Sequence, residues 1–286
     1  MHSSFSGFRR RRHLIGFALA LPALVLFGVF AIYPIGQVFV LSLFDYSLTS
    51  PPEFVGLGNF AFLAGDPRFG QALLQTVIYA VGTYLPALVL ALVLAQGLVL
   101  RMPGMGLVRL LYFLPLAASW VAVSIIWRVV LHPDGLLNTV LGLDVNWLTS
   151  SSTARWGLVI MSVWKETGFF LILFLAGLQS VPRDVYEAAR LDGTTAWQRF
   201  WHLTLPLLRP ITVVCAIMAV LRGFQSFSPQ VVLTGGSFGT EVINLFVYKT
   251  AFESSRMGRA SAVAVLMFFL LLTLALVQLR ALRRKD

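Results

Sequence analysis

Charge is scarce in this sequence. Only 12% of its 286 residues are Asp, Glu, Lys or Arg, whereas 58% are hydrophobic. A soluble domain of this length exposes far more charged surface, so most of the chain must lie in lipid. Cysteine is nearly absent as well, because Cys215 stands alone in an apolar run. A single cysteine excludes an internal disulfide and a cluster of thiolate metal ligands.

The common motifs of nucleotide and metal chemistry are also missing. There is no GxxxxGK[ST] phosphate loop, since the only lysines are Lys165, Lys249 and Lys285 and none of them follows a glycine. HExxH, paired CxxC and GxGxxG patterns are absent, and the four histidines are scattered. We therefore predict that this chain is not an enzyme and holds no metal or cofactor of its own. Any coupling to an energy source must come from a partner.

Hydrophobic residues are gathered into six runs, each near the roughly 20 residues that span a bilayer as a helix. Leu, Val, Ala, Phe and Ile dominate every run, without the alternation of a membrane barrel. The sequence predicts an all-α membrane protein with six transmembrane helices at about 14–36, 72–99, 107–130, 156–178, 210–232 and 260–281. The first run follows four arginines but lacks a small-x-small cleavage site, so we predict a retained helix and not a signal peptide.

Basic residues flank these runs unevenly. They are concentrated in the N-terminal tail, in the loop 179–209 and in the C-terminal tail, whereas most acids fall in the opposite loops. The positive-inside rule then places both termini and loop 179–209 in the cytoplasm. We predict one six-span domain at 14–282, between basic tails at 1–13 and 283–286. The net charge of +10 is explained by orientation in a lipid bilayer, so nucleic acid is not an expected partner.

The loops on the opposite side are rich in turn-forming residues. In the segment 37–71, Pro, Gly and Asp argue for a folded loop with short interfacial helices. In the last of these loops, the apolar stretch VINLFVY is too short to span a bilayer. It is expected to form an interfacial or partly re-entrant helix.

The segment 187–210, EAARLDGTTAWQRFWHLTLPLLRP, carries more polar and charged residues than the hydrophobic runs around it. Ala188 and Ala189 keep one helical face thin, so that another protein can approach closely, and Gly193 suits the left-handed residue that ends a helix. A second helix is predicted to follow, with an apolar face made of Trp197, Phe200, Trp201 and Leu205. Pro206 and Pro210 would break it before the fifth run. An interfacial helix lying flat under the bilayer is the alternative for 196–205.

This segment resembles the EAA loop of binding-protein-dependent ABC importer permeases. The resemblance is carried by Glu187-Ala188-Ala189, Asp192-Gly193 and Leu205-Pro206. The stretches GLQSVPRDVYEAA, FVGLGNF and LTGGSF resemble the carbohydrate-uptake branch of that family, which includes sugar and glycerol-phosphate permeases. One departure is Leu203, where the family often has isoleucine. The resemblance implies a type I ABC importer permease, multi-pass in the cytoplasmic membrane of a bacterium or archaeon.

The resemblance also implies partners for this loop. In the family, the loop forms a coupling helix that seats in a cytoplasmic ATPase subunit. The residues that would carry this role here are Glu187, Ala188, Ala189, Asp192, Gly193, Leu205 and Pro206. Two ATPase subunits would bind ATP and magnesium, a second related permease would complete the pathway, and an extracytoplasmic binding protein would deliver the solute.

Other arrangements stay open from sequence alone. A homodimer of this chain is less expected than a pair of related permeases, but nothing in one chain fixes the stoichiometry. A self-contained secondary transporter is the alternative function, and it would predict inverted repeats and proton-relay acids within the spans. A membrane enzyme would need His, Asp or Glu clustered at one face.

Ionisable residues inside spans are costly and usually face a cavity or a partner. Arg128 near the outer end of the third run meets this description, and so do Lys165 and Glu166 in the fourth run and Arg222 in the fifth run. Because adjacent residues on a helix do not face each other, Lys165 and Glu166 are expected to find separate partners. Lys165, Glu166 and Arg222 either line a solute pathway or stabilise the helix bundle.

The fifth run also carries a polar stretch, GFQSFSPQ at 223–230. Gln225 and Ser226 would bind solute hydroxyls, while the rings of Phe224 and Phe227 suit the apolar faces of a sugar. The resemblance supports Gln225 and Ser226, since in related permeases this part of the span contacts substrate. Polar contacts between packed helices are the alternative. The nearby cations could also favour an anionic solute such as a glycerol phosphate.

Overall fold

The computed structural model describes residues 4–47, 49–98 and 105–283. Residues 1–3 and 284–286, parts of the two predicted basic tails, lie outside the described residues. The chain forms two compact units. One consists of the described parts of Met1–Gly65 and Val247–Phe268, and the other of the described parts of Asp66–Phe246 and Phe269–Asp286.

The first unit begins with a long apolar helix. In chain order it contains α1 (Ser4–Phe27), a π-helical turn (Gly28–Ile32), α2 (Tyr33–Leu41), strands β1 (Phe44–Ser47) and β2 (Ser50–Phe54), and α3 (Gly58–Gly65). The first part of α15 (Met257–Arg283) belongs to this unit as well.

In the segment 37–71, predicted as a folded loop with short interfacial helices, the structure has the short helix α3 and also a β-hairpin that was not predicted. Strands β1 and β2 pair antiparallel, with Phe44 opposite Phe54. Two adjacent prolines in β2 point to a loop in the sequence, but a strand at a sheet edge tolerates residues without an N–H donor. Asn59 fixes the hairpin, because its side-chain amide donates to the carbonyls of Ser42 and Phe44, both at 2.9 Å.

The second unit consists of helices joined by turns and loops, with no strand among its described residues. It contains α4 (Pro67–Leu98), α5 (Met105–Ala117), α6 (Trp120–Val130), α7 (Leu136–Leu141), α8 (Ala154–Ser180), α9 (Arg183–Leu191), α10 (Ala196–Arg199), a π-helical turn (Phe200–Thr204), α11 (Leu205–Leu207), α12 (Arg209–Phe224) and α13 (Ser228–Leu233). Next, α14 (Ile243–Tyr248), the predicted short helix, begins in this unit, and a π-helical turn (Lys249–Glu253) leads to α15.

Within the described residues, five helical segments are long and apolar enough to cross a membrane. They are Gly16–Leu41, Pro67–Leu98, Ala154–Ser180, Arg209–Leu233 and Met257–Arg280. Five of the six predicted spans are therefore confirmed to within a few residues at each end. The remaining one, 107–130, is present as a bent pair of helices.

Helix α8 packs along α4 at the centre of the second unit. Ala87, Ala91 and Ala95 recur every four residues on α4 and are fully buried. They share a core with the large side chains of Phe170 and Phe174 on α8. Small residues at this spacing let two membrane helices approach closely, which is why α4 carries alanine at these positions.

The third span departs from the prediction of one continuous helix. Helix α5 ends at Ala117, α6 begins at Trp120, and the two segments meet at 112°. Pro115 lacks an N–H donor, and the Ser119 hydroxyl caps α6 by accepting from the Ala122 N–H. The break leaves carbonyl groups that no longer have a helical partner.

Lys165 satisfies those carbonyls. Its side chain is 4% exposed, and its ammonium donates to the carbonyl oxygens of Pro115 at 2.6 Å and Ala118 at 2.7 Å. The ammonium also lies 5.0 Å from the Trp120 ring. A broken helix is tolerated inside a membrane when its freed backbone groups find partners in this way.

We expect Lys165→Met to destabilise the protein. Methionine keeps the volume of the side chain but leaves the Pro115 and Ala118 carbonyls without this donor, and the loss at the buried Pro115 carbonyl alone costs about 1–3 kcal/mol. The apparent unfolding temperature of the purified protein in detergent should fall. Arg128→Met, which removes an exposed cation from α6, should leave it almost unchanged. Equal unfolding temperatures for Lys165→Met and the unmodified protein would contradict the capping role.

Candidate functional site

A cavity of about 180 Å³ opens where α12 gives way to α13. It is lined by Tyr84 of α4, Trp120 of α6, Glu166 of α8, Arg222 of α12 and residues 225–229. Side chains from four membrane-spanning segments therefore meet around one space. We call this space the central pocket.

A break in the fifth span supplies one wall of the central pocket. Helix α12 ends at Phe224, and α13 starts at Ser228 with Pro229 in its first turn. Just before the break, Gly223 packs against Ala80 of α4 so closely that an added Cβ would lie 2.7 Å from the alanine Cβ. The polar residues between the two helices are thereby held at the pocket, with Gln225 exposed to it.

A buried ion pair forms the opposite wall. The Arg222 guanidinium donates two hydrogen bonds to the Glu166 carboxylate, both at 2.9 Å, and the Glu166 side chain is 1% exposed. The Tyr84 hydroxyl donates to the same carboxylate at 3.3 Å. Arg222 also lies over the Phe169 ring, 4.4 Å from its centre. Such a two-point pair neutralises both charges and holds α4, α8 and α12 together.

The structure separates the residues predicted for a solute pathway. Glu166, Arg222, Gln225, Ser226 and Phe227 all line the central pocket. Lys165 turns away to the break between α5 and α6, and Phe224 is buried; neither is among the residues that line the pocket. The expectation that adjacent Lys165 and Glu166 find separate partners is confirmed.

Sequence reasoning missed two lining residues, Tyr84 and Trp120. A sequence pattern could have identified Tyr84. The hydroxyl-bearing residues of this otherwise apolar run are separated by three or four positions or are adjacent, and all of them are buried: Thr76, Tyr79, Thr83 and Tyr84. A polar stripe in a membrane helix indicates a face turned to the protein interior. Trp120 carried no comparable signal, because its place depends on the break in the third span.

The loop between α8 and α12 contains a second candidate site. Helix α9 leaves Glu187 and Ala188 exposed, and Asp192 follows its last residue. Gly193 has φ of +71°, which confirms the predicted left-handed end of the helix. The Thr194 N–H then donates to the Ala189 carbonyl at 3.2 Å, so the chain turns sharply after the helix.

The second half of this loop is less regular than predicted. Thr195 and Gln198 cap α10 reciprocally, and the aromatic rings of Trp197, Phe200 and Trp201 contact one another. The expected single helix is divided, however, because the backbone widens into a π-helical turn at Phe200–Thr204 before α11. Leu205 and Pro206 begin α11, beyond that turn.

Two contacts tie this loop to the helix bundle. The hydroxyl groups of Tyr186 on α9 and Thr204 in the π-helical turn are 3.1 Å apart. Leu208, between α11 and α12, is 1% exposed and lies in the core shared by α4 and α8. These contacts connect α9 with the π-helical turn, and the segment between α11 and α12 with the helix core.

Comparison with known proteins agrees with this architecture. Residues 60–285 match a protein family described as binding-protein-dependent transport system inner membrane component. The chain is 36% identical to the probable ABC transporter permease protein YurN of Bacillus subtilis, over 93% of this chain and 95% of the relative.

Two further relatives are named for the sugars that they transport. The trehalose/maltose transport system permease protein MalF of Thermococcus litoralis is 33% identical, with 98% of each chain covered. The lactose transport system permease protein LacF of Rhizobium radiobacter is 32% identical, with 99% of each chain covered.

A solved structure shares the fold. It is a chain of a bacterial ABC transporter involved in the import of the acidic polysaccharide alginate, with a TM-score of 0.86 and 24% sequence identity. The match covers 96% of this chain and 97% of that chain, which confirms the predicted type I importer fold. The chain therefore belongs to the binding-protein-dependent transport system inner membrane components, the family of ABC importer permease subunits.

Proposed function

We propose that this chain forms one half of the translocation pathway of an importer for a neutral sugar or related polyol. The observation that carries the proposal is the central pocket. Apart from the Glu166–Arg222 pair, its polar groups are the Gln225 amide and the hydroxyls of Ser226 and Ser228, and its rings are Tyr84, Trp120 and Phe227. Hydroxyl groups of a sugar need such partners, and aromatic rings suit the apolar faces of the sugar.

The charge of the central pocket argues against a glycerol phosphate. Arg222 is the one cation among the described residues that line the pocket. Its Nε and Nη2 groups both donate hydrogen bonds to the Glu166 carboxylate. Lys165 donates to backbone carbonyls outside the lining. Because the Glu166 carboxylate already neutralises Arg222, the described lining offers a phosphate no uncompensated positive charge. The relatives named for lactose and for trehalose or maltose also support a sugar.

The loop carrying Glu187 and Gly193 is proposed to connect this chain to an ATPase. A short helix with exposed Glu187 and Ala188, closed by a left-handed glycine, presents a rigid surface to a partner. The Tyr186–Thr204 contact and the buried Leu208 would pass rigid-body motion to α12, next to the central pocket. ATP and magnesium would be bound by two separate ATPase subunits, since the sequence carries no phosphate loop.

The remaining partners follow from the family. We propose that a second, related permease completes the pathway, in preference to a second copy of this chain, and that an extracytoplasmic protein delivers the solute. One solved neighbour is a bacterial alginate ABC transporter in complex with a periplasmic protein that carries an alginate pentasaccharide. Both termini and loop 179–209 would face the cytoplasm of a bacterium or archaeon. The family match favours this assembly over a self-contained secondary transporter.

Reconstitution tests the substrate class. The permease would be co-expressed with the permease, ATPase and binding protein encoded beside it, and assembled in proteoliposomes with ATP inside. We expect ATP-dependent uptake of at least one of radiolabelled lactose, maltose or trehalose, and no uptake of labelled glycerol 3-phosphate. Uptake of glycerol 3-phosphate alone would overturn the assignment to a neutral solute.

We expect Glu187→Ala to separate ATP hydrolysis from uptake. The variant loses an exposed carboxylate of α9, and the loss of a charge-assisted hydrogen bond to a partner lowers uptake by roughly tenfold or more. ATP hydrolysis should persist in the same proteoliposomes. Asp184→Ala removes an exposed carboxylate from the first turn of the same helix, before the Glu187-Ala188-Ala189 motif, and it should retain near-normal uptake. Unchanged uptake by Glu187→Ala would remove this residue from the coupling surface.

A further inference from the structure

A second and larger cavity lies where α6 and α13 end, beside residues 146–149 of the loop that precedes α8. Its volume is about 340 Å³, within the roughly 300–1,000 Å³ that is typical of small-molecule sites. In the proposed orientation it lies on the extracytoplasmic side. Among the described residues, it shares no lining residue with the central pocket. We call this cavity the outer pocket.

Two helices that pack against each other connect the two pockets. Trp120, the first residue of α6, lines the central pocket, whereas Arg128 near the end of α6 lines the outer pocket. In the same way, Ser228 begins α13 at the central pocket, and Leu233 ends it at the outer pocket. At 1.5 Å per residue, the part of α6 between the two pockets spans about 12 Å. The outer pocket therefore lies one short helix beyond the central pocket, on the side from which a solute would arrive.

A buried asparagine fixes the rim of the outer pocket. Asn138 of α7 is 3% exposed, and its side-chain nitrogen donates to the Pro133 carbonyl at 2.8 Å and to the Val145 carbonyl at 2.9 Å. Its side-chain oxygen accepts from the indole N–H of Trp147 at 2.7 Å. Pro133, before α7, and Trp147, after it, both line the pocket. These contacts order the lining in advance, which lowers the cost of binding a ligand.

A second aromatic residue of the lining has an unusual backbone conformation. Phe238 lines the outer pocket and has φ of +57°, in the left-handed region that is unfavourable for a bulky side chain. It lies between Gly236 and Gly239, whose φ values of +81° and +71° make the whole turn left-handed. Residues held in such conformations are concentrated at ligand sites.

The lining of the outer pocket suits a neutral carbohydrate better than an anion. Trp147 and Phe238 offer rings for the apolar faces of a sugar, and the polar residues Arg128, His132 and Thr149 can form hydrogen bonds with its hydroxyl groups. Arg128 is exposed. An exposed cation contributes little to the binding of an anion, because water and salt screen its charge.

We propose that the outer pocket is a second binding site for the transported sugar or polyol. Arg128 donates to solute hydroxyls there, and Trp147 and Phe238 contact the apolar faces of the solute. The solute occupies this site before it passes along α6 and α13 to the central pocket. This inference rests on the proposed function, because it takes the transported solute to be a neutral sugar or polyol.

Protection of an introduced thiol tests the proposal. Cys215→Ala removes the one native cysteine of the chain, and Thr149→Cys then places a single thiol in the outer pocket. The complete importer in proteoliposomes would be treated with a membrane-impermeant methanethiosulfonate reagent from the side of the binding protein, and modification of this chain would be followed by mass spectrometry. We expect at least one of lactose, maltose or trehalose to slow the modification roughly threefold or more.

The matched control is Ser151→Cys, at an exposed position of the same loop outside the described lining. Its modification should not depend on sugar. Equal slowing at both positions would show cover by the binding protein and would overturn the proposal. An unchanged rate at Thr149→Cys with all three sugars would overturn it as well. Protection by glycerol 3-phosphate and by none of the sugars would show an anion site instead.

Two further substitutions separate the outer pocket from the central pocket. With Arg128→Met, we expect the sugar concentration that gives half of the protection at Thr149→Cys to rise roughly fivefold, because a hydrogen-bond donor to the solute is lost. With Gln225→Ala in the central pocket, this concentration should stay the same. An unchanged value for Arg128→Met, or an equal rise for Gln225→Ala, would contradict the proposal.

Uptake and protection distinguish this proposal from the proposed function. Uptake of a sugar without selective protection at Thr149→Cys removes the outer pocket and leaves the proposed function intact. Selective protection by a neutral sugar without uptake retains the outer pocket as a sugar site and removes the proposed function.

Discussion

The buried carboxylate of Glu166 is the constraint on which much of the second unit depends. A carboxylate in the middle of a membrane helix is strongly unfavourable unless it is paired. Arg222 pairs with it through two hydrogen bonds of 2.9 Å, and Tyr84 adds a third. Arg222 reaches this carboxylate of α8 from α12, and α12 also packs closely on α4, where Gly223 contacts Ala80. The helix then breaks within a few residues of the ion pair, and the break forms the central pocket.

Helix α8 supports two broken spans from adjacent residues. Lys165 satisfies carbonyls where α5 and α6 separate, while Glu166 holds Arg222 just before α12 and α13 separate. Irregular backbone at membrane depth is tolerated only where it is buried in protein or lines a cavity. At the first break, two backbone carbonyls accept hydrogen bonds from Lys165. The second break lines the central pocket. Trp120, at the start of α6, brings the first break to the same pocket.

The features predictable from sequence were those set by local patterns. Hydrophobic length located the spans, and the EAA segment with Gly193 located the turn that ends α9. The features that were missed depend on contacts distant in sequence. Lys165 reaches carbonyls 47 and 50 residues away, and Glu166 reaches Arg222 across 56 residues. No pattern in 107–130 predicts that a lysine from another helix stabilises a break there. The hairpin at Phe44–Phe54 was missed because its prolines favour a loop, and Asn59 supplies the contacts that overcome this.

The central claim is that Glu166 and Arg222 act as one neutral unit in the wall of a sugar pathway. Its most direct test is a double-mutant cycle with Glu166→Gln and Arg222→Gln, measured as unfolding temperature and sugar uptake of the assembled importer. Each single substitution leaves one buried charge unpaired and should lower both quantities strongly. The double substitution removes both charges and should recover much of the loss, because the two effects are coupled. Losses that simply add in the double variant would contradict the account.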